Sequence, residues 1–235
     1  MMKLHATAFS ERAAIEARMQ AHGVPGLTYT LIRNGARQET VALGVKRTDT
    51  NEPMTPDTTF EAASLTKSLF ALLVLRLADE GVLSLDTPLR VYREEPGFCS
   101  DERFARVTAR HVLSHASGLP NWEKKPLSME FAPGEGFRYS GEGYYYLQRV
   151  VEQLCGTSMP ALFDKYFFTP WGMSHSSGIW NASIGAAMTH IFDENGVMQE
   201  KREAVDLGGL APEPNAAWSL YATSGDYARI LTRLM

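Results

Sequence analysis

Ser64 and Lys67 stand three residues apart at the head of an apolar run, residues 65–78, in which Lys67 and Arg76 are the only charges. A run of that composition reads as a helix buried on most sides. Positions i and i+3 share a helix face, so the lysine amine can reach the serine hydroxyl. Burial disfavours a charged amine, and a neutral amine beside a hydroxyl can take its proton, which turns a weak nucleophile into a competent one. The pair therefore reads as a nucleophile and its base. Ser-x-x-Lys also arises by chance about once in a chain of this length, and a helix-capping serine beside a snorkelling lysine is the competing account.

Two other groups of residues have chemical potential. His111 and His115 are spaced i, i+4 like zinc ligands, but no glutamate adjoins the first and no third ligand presents itself. They read instead as helix histidines paired to backbone or carboxylate. Tyr144, Tyr145 and Tyr146 are adjacent, so they cannot share one helix face as a stacking platform and read as packing.

The elements that must position these residues belong to a globular chain. Its 235 residues are 44% hydrophobic and 21% charged, with a net charge of −4, enough apolar content for a sizeable core. No Lys/Arg run marks a nucleic-acid surface and no basic amphipathic stretch marks a membrane one. The first ten residues lack an apolar signal core and residues 65–78 are too few to span a bilayer, so the expected compartment is the cytoplasm. Cys99 and Cys155 stand far apart and are expected to be free thiols.

Ser10 can cap a first helix over residues 11–22, with Ile15 and Met19 on one face and Gly23 as its stop. Residues 27–32 and 40–45 read as strands joined through Asn34-Gly35, the strongest short hairpin signal. After the central helix Gly81 is a stop, and residues 83–89 lead to a loop around Pro96-Gly97. Thr108 caps a short helix over 109–115 that halts at Ser117-Gly118-Leu119-Pro120. A periodic helix over 144–154 ends at Gly156; another opens at Ser158 and Pro160, runs to Phe167 and stops before Pro170. Beyond it lie a possible hairpin at Asn195-Gly196, a glycine pair at Gly208-Gly209, and a capping box at Thr223 and Asp226 that opens a helix with Tyr227, Ile230, Leu231 and Leu234 on its apolar face.

Several blocks recur in a familiar order. Ser64-Leu65-Thr66-Lys67 is followed by Thr108-x-Arg110-His111-x-Leu113-x-His115-x-Ser117-Gly118-Leu119-Pro120, then by Pro133-Gly134-x-x-Phe137-x-Tyr139-Ser140, by Pro170-Trp171-Gly172-Met173, and by Ser219-Leu220-x-x-Thr223-x-x-Asp226-Tyr227-Ala228. From about Leu27 onward the chain resembles the serine β-lactamase and penicillin-binding-protein-like hydrolases, in particular the branch with class C β-lactamases, family VIII carboxylesterases and D-aminopeptidases. Ordered agreement over several blocks is far more specific than a four-residue motif.

The resemblance implies a β-lactamase/transpeptidase-like fold, α/β plus all-α, in which an antiparallel sheet is flanked by helices and a helical domain is inserted. The expected division is 1–63 for the first part of the α/β domain, 64–180 for the nucleophile helix and helical domain, and 181–235 for the return. Ser64 matches the acylated nucleophile, with its own backbone N–H as one oxyanion donor. Lys67 matches the general base. Tyr139 matches the tyrosine of a Tyr-x-Asn motif, which shares the proton with the lysine. Here that motif is Tyr139-Ser140-Gly141, so substrate binding at Gly141 lacks the asparagine amide, which weakens the β-lactamase reading. No Lys-Thr-Gly-like third motif is found; His175-Ser176-Ser177-Gly178 is the nearest mimic and lies too early.

The resemblance thus implies a serine hydrolase that forms an acyl-enzyme on small carboxylic esters, with a β-lactamase or D-amino-acid peptidase as the rival enzyme. A catalytically silent family member that binds peptides or a protein is the rival of another class. The expected partner is a small-molecule ester or amide; the resemblance implies neither a metal nor an organic cofactor. A last helix without a stop signal, the missing third motif and a sheet with one hairpin together lead us to expect a C-terminally truncated chain with an incomplete sheet.

Overall fold

The computed structural model describes residues 12–194, 197–198 and 213–235. In chain order the elements are helix α1 (Arg12–Ala21), strands β1 (Gly26–Arg33), β2 (Ala36–Gly44) and β3 (Phe60–Ala63), helices α2 (Thr66–Asp79), α3 (Ala109–Leu113), α4 (Gly141–Cys155), α5 (Met159–Phe163), α6 (Thr169–Trp171) and α7 (Ala182–Ala187), strand β4 (Leu220–Ala222) and helix α8 (Ser224–Leu234). They form two compact units. One takes the described residues of Met1–Phe60, Trp180–Pro212 and Ala222–Met235, and the other takes Glu61–Ile179 and Glu213–Tyr221. Ser10, the hairpin expected at Asn195-Gly196 and the pair Gly208-Gly209 lie outside the described residues.

In the first unit β1 and β2 pair antiparallel, from Gly26 opposite Gly44 to Arg33 opposite Ala36. Asn34 and Gly35 have φ of 53° and 71°, the left-handed pair that a two-residue hairpin turn needs to match the strand twist. The second strand begins at Ala36 rather than Thr40. A two-residue turn makes pairing resume at once, so Arg37 lies opposite Ile32 despite its charge.

Helix α8 lies against both strands and is capped as expected, Thr223 Oγ1 accepting from the Asp226 N–H at 3.0 Å. Its buried face is rotated from the expected one: Gly225, Ala228 and Ile230 are buried, whereas Leu231 and Leu234 are exposed. Small residues let the helix approach the hairpin closely, as a Cβ on Gly225 would stand 3.1 Å from Thr40 Oγ1.

In the second unit α2 buries one face, Thr66, Lys67, Leu69, Phe70, Leu73, Val74 and Leu77, and leaves Leu75 exposed, as is Leu65 just before the helix. It is therefore less enclosed than its composition suggests. Helix α4 starts at Gly141, three residues before the expected Tyr144, because Ser140 caps it by accepting from the Gly143 N–H. Tyr144 and Tyr146 are buried, and the Tyr146 ring packs 5.2 Å from Phe98 and 5.0 Å from Phe104, which bears out their reading as packing residues. After α5 a wider π-type turn (Asp164–Phe168) carries the chain into α6, so helical structure passes Pro170 and ends at the left-handed Gly172. Pro170 stands in the first turn of α6, directly after the wider π-type turn.

A second two-stranded sheet joins β3 and β4, with Ala63 bridged to Ser219 in parallel. Strands of four and three residues are too short for a period-two pattern to register in the sequence.

Candidate active site

The strand β3 ends in a strained corner. Ala63 has φ of 44°, a conformation uncommon for a residue with a side chain, and the exposed Ser64 follows it in the turn before α2. Thr66 secures that turn: its hydroxyl donates to the Ala63 carbonyl and accepts from the Leu220 N–H at 2.9 Å. The serine thus sits at the N-terminal approach of a helix of 14 residues, where the helix dipole favours a developing negative charge.

One turn on, Lys67 is 7% exposed. Its Nζ donates to Ser64 Oγ at 3.3 Å and to the Ala217 carbonyl at 2.8 Å, and stands 4.7 Å from the ring centre of Tyr139 and 5.6 Å from that of Tyr144. The Ala217 carbonyl is itself held from behind. Gln148 of α4, buried, accepts from the Ala216 N–H at 2.7 Å and donates to the Pro214 carbonyl at 3.0 Å. Asn215 Oδ1 accepts from the Ala217 N–H at 2.9 Å. Backbone that must present one carbonyl to a buried amine is in this way fixed by side chains on both sides.

Tyr139 completes the cluster by donating its hydroxyl to Ser64 Oγ at 2.7 Å. Burial is the largest influence on its phenol and acts upward, but contacts with Lys67 and Ser64 together with the Lys67 charge outweigh it and hold the phenol below its ordinary value. Tyr144 goes the opposite way: burial first, then the neighbouring Tyr139, push it up to about 12. The two tyrosines beside Lys67 are thus shifted in opposite directions.

The back of Tyr139 rests on His115, their rings stacked with centroids 4.5 Å apart. His115 Nδ1 accepts from the Ser140 N–H at 3.2 Å. The helix α3 that was expected to contain this histidine ends at Leu113, and His115 has φ of 56°. His111 remains in α3 and closes its capping box with Thr108. The i, i+4 geometry of a metal pair is lost at that bend, and the backbone pairing expected of His115 is what the structure contains. Among the described residues no three His, Cys, Asp or Glu side chains converge on one point.

Gly141 lies two residues beyond Tyr139, buried at the start of α4, and its N–H donates to Asn121 Oδ1 at 2.9 Å. The block His175-Ser176-Ser177-Gly178 supports β4: Ser177 exchanges both backbone hydrogen bonds with Tyr221 at 2.9 and 2.8 Å, and the Gly178 carbonyl accepts from Ser219 Oγ at 2.8 Å. Cys99 and Cys155 are free, and no helix among the described residues is long and apolar enough to cross a membrane.

Of the residues singled out in the sequence, Lys67 and Tyr139 come within hydrogen-bond range of Ser64, while Gly141 follows Tyr139 by two residues and contacts Asn121. Ala217, Gln148 and the stacking role of His115 had not been found. A backbone carbonyl leaves no mark in a sequence, and Gln148 sits among apolar residues of α4 without a motif; the His-x-Ser-Gly-Leu-Pro block was the one signal pointing to His115.

A family model described as Beta-lactamase matches residues 12–235. Penicillin-binding protein 4 of Amycolatopsis lactamdurans is 29% identical over 92% of this chain and 58% of its own length. Esterase EstB of Burkholderia gladioli is 32% identical over 72% of this chain and 53% of its own. The chain spans a little over half the length of these two relatives. A crystal structure of a class C β-lactamase superposes with a TM-score of 0.77 at 23% identity, covering 92% of this chain and 62% of that one. That likeness shows the expected β-lactamase/transpeptidase-like fold.

Proposed function

The chain belongs to the beta-lactamase family, and from that premise we propose that it is a serine hydrolase that works through an acyl-enzyme on small carboxylic esters. The observation that carries this reading is the convergence of two proton-handling groups on Ser64 Oγ, the Tyr139 hydroxyl at 2.7 Å and Lys67 Nζ at 3.3 Å. With the Tyr139–Lys67 pair one proton short, a state the lowered Tyr139 phenol favours, Ser64 Oγ bonds to the ester carbonyl carbon, the carbonyl oxygen takes up the displaced electron pair, and the serine proton passes to the pair. The Ser64 N–H is the proposed donor to the oxyanion of the tetrahedral intermediate, at the end of α2 where negative charge is favoured. Collapse expels the alcohol, which takes the proton from the pair. Water then adds to the acyl carbonyl, gives its proton to the same pair, and Ser64 leaves with that proton restored.

Preference for esters over β-lactams and peptides is supported by position 141, which has no side chain to hold a substrate amide, and by similarity to a protein named as an esterase. A fluorophosphonate probe should label the protein at Ser64 and not the Ser64→Ala variant, and kcat/KM for nitrophenyl butyrate should exceed that for nitrocefin. Labelling that survives Ser64→Ala would overturn the nucleophile. A preference for nitrocefin would move the assignment to the β-lactamase reading.

A further inference from the structure

Ser140 is extended, with φ of −134° and ψ of 116°, so residues 139 and 141 project to one face and Ser140 to the other. The hydroxyl of Ser140 turns inward, donating to the Pro120 carbonyl at 2.8 Å. Tyr139, on the opposite face, reaches Ser64. A side chain at 141 would therefore project to the face that carries Tyr139. That space is filled: the Cε2, Cζ2 and Cη2 atoms of Trp122 all lie less than 3.0 Å from where a Cβ on Gly141 would stand. A larger residue at 141 would collide with the indole unless one of the two moved.

Trp122 is no ordinary packing residue. It is 47% exposed, so part of the indole remains open. Its φ is 56°, uncommon for a bulky residue and a mark of positions held for a purpose. The preceding residue fastens it, since Asn121 Oδ1 accepts from the Gly141 N–H at 2.9 Å. The loop is therefore tied to the start of α4 one residue before the ring.

We propose that Trp122 determines substrate choice at Ser64: its indole, on the face of the 139–141 segment that carries Tyr139, is an aromatic wall that selects esters whose acyl group carries a flat apolar ring over short aliphatic esters. This rests on the reading of Ser64 as the nucleophile. The physical basis is that an aromatic ring gains both apolar burial and favourable ring–ring geometry against an indole, and an acetyl group gains neither.

The test is kcat/KM for nitrophenyl phenylacetate relative to nitrophenyl acetate in the protein and in Trp122→Ala, Trp122→Leu and Trp122→Phe, with fluorophosphonate labelling of Ser64 measured in each. Phenylacetate should be preferred by the unsubstituted protein, and that ratio should fall about tenfold or more in Trp122→Ala, within the range that one apolar contact can discriminate. Trp122→Leu should lose the preference and Trp122→Phe should keep most of it, which also covers the case in which the alanine variant fails to fold. A variant still labelled at Ser64 whose ratio stays within about twofold of the original would overturn the role of Trp122 and leave the nucleophile intact. Preference for acetate in the unsubstituted protein would overturn it too. Absence of both labelling and turnover in that protein would instead bring down the Ser64 reading, and this proposal with it.

Discussion

The imidazole of His115 lies on the ring of Tyr139, with centroids 4.5 Å apart and planes 29° from parallel. Tyr144 and Phe137 pack against the same imidazole. Burial, and then the charge of Lys67, hold His115 below its ordinary value of 6.5. Between that value and the depressed folded one, the unfolded chain binds a proton that the folded chain does not. Stability should therefore fall as pH drops below about 6.5 and level off below the folded value. His111, also lowered mainly by burial, adds to the same slope. Urea midpoints measured at about pH 7.5 and about pH 5.5 should differ, and the difference should shrink in His115→Gln. An undiminished difference would show that His115 titrates alike in both states.

The opposite shifts of the two site tyrosines separate their roles. Tyr139→Phe removes the hydroxyl that contacts Ser64 and should lower kcat/KM for nitrophenyl butyrate by about 10²–10⁴-fold, the usual worth of a positioned acid–base group. Tyr144→Phe removes a hydroxyl held up to about 12 and should leave the rate within about threefold. Equal losses in both variants would mean that ring packing, not proton transfer, is what Tyr139 supplies.

Gln148 acts on Lys67 only through the backbone it holds, so it is a positioning residue. Gln148→Leu strands the Ala216 N–H and the Pro214 carbonyl, each at a cost of about 1–3 kcal/mol. Both the unfolding free energy and kcat should drop. A Leu variant with lowered stability and unchanged kcat would sever Gln148 from the site.

Gly141→Ala should destabilise the protein by about 1–3 kcal/mol, as overpacking does, because the new methyl meets the Trp122 indole. The double variant Gly141→Ala with Trp122→Ala should lose less than the sum of the single losses, since removing the ring makes room for the methyl. Additive losses in a double-mutant cycle would show that the collision is relieved elsewhere.

The sequence by itself determined the local features whose causes are local. Asn34-Gly35 can hardly make anything but a tight hairpin turn, Thr223 and Thr108 cap the helices they precede, and Gly156 ends one by adopting φ of 64°. Ser64 and Lys67 were legible because helical spacing alone makes i and i+3 neighbours. The ordered blocks, matched by the family model over residues 12–235, supplied Tyr139, whose 75-residue separation from Ser64 no periodicity could bridge.

Tertiary structure decided whatever depends on which groups meet. Leu231 and Leu234 look like the core face of α8, yet Gly225 and Ala228 are buried instead, because close approach to the hairpin favours small residues over large ones. The sheet of β3 and β4 joins segments about 160 residues apart through strands too short to show a pattern. The carbonyl of Ala217 contacts Lys67 across 150 positions, and a backbone oxygen is the same in every residue, so only the fold can appoint it. Gly141 shows the division most plainly: the sequence reveals a missing side chain, and the structure reveals that Trp122 stands in its place.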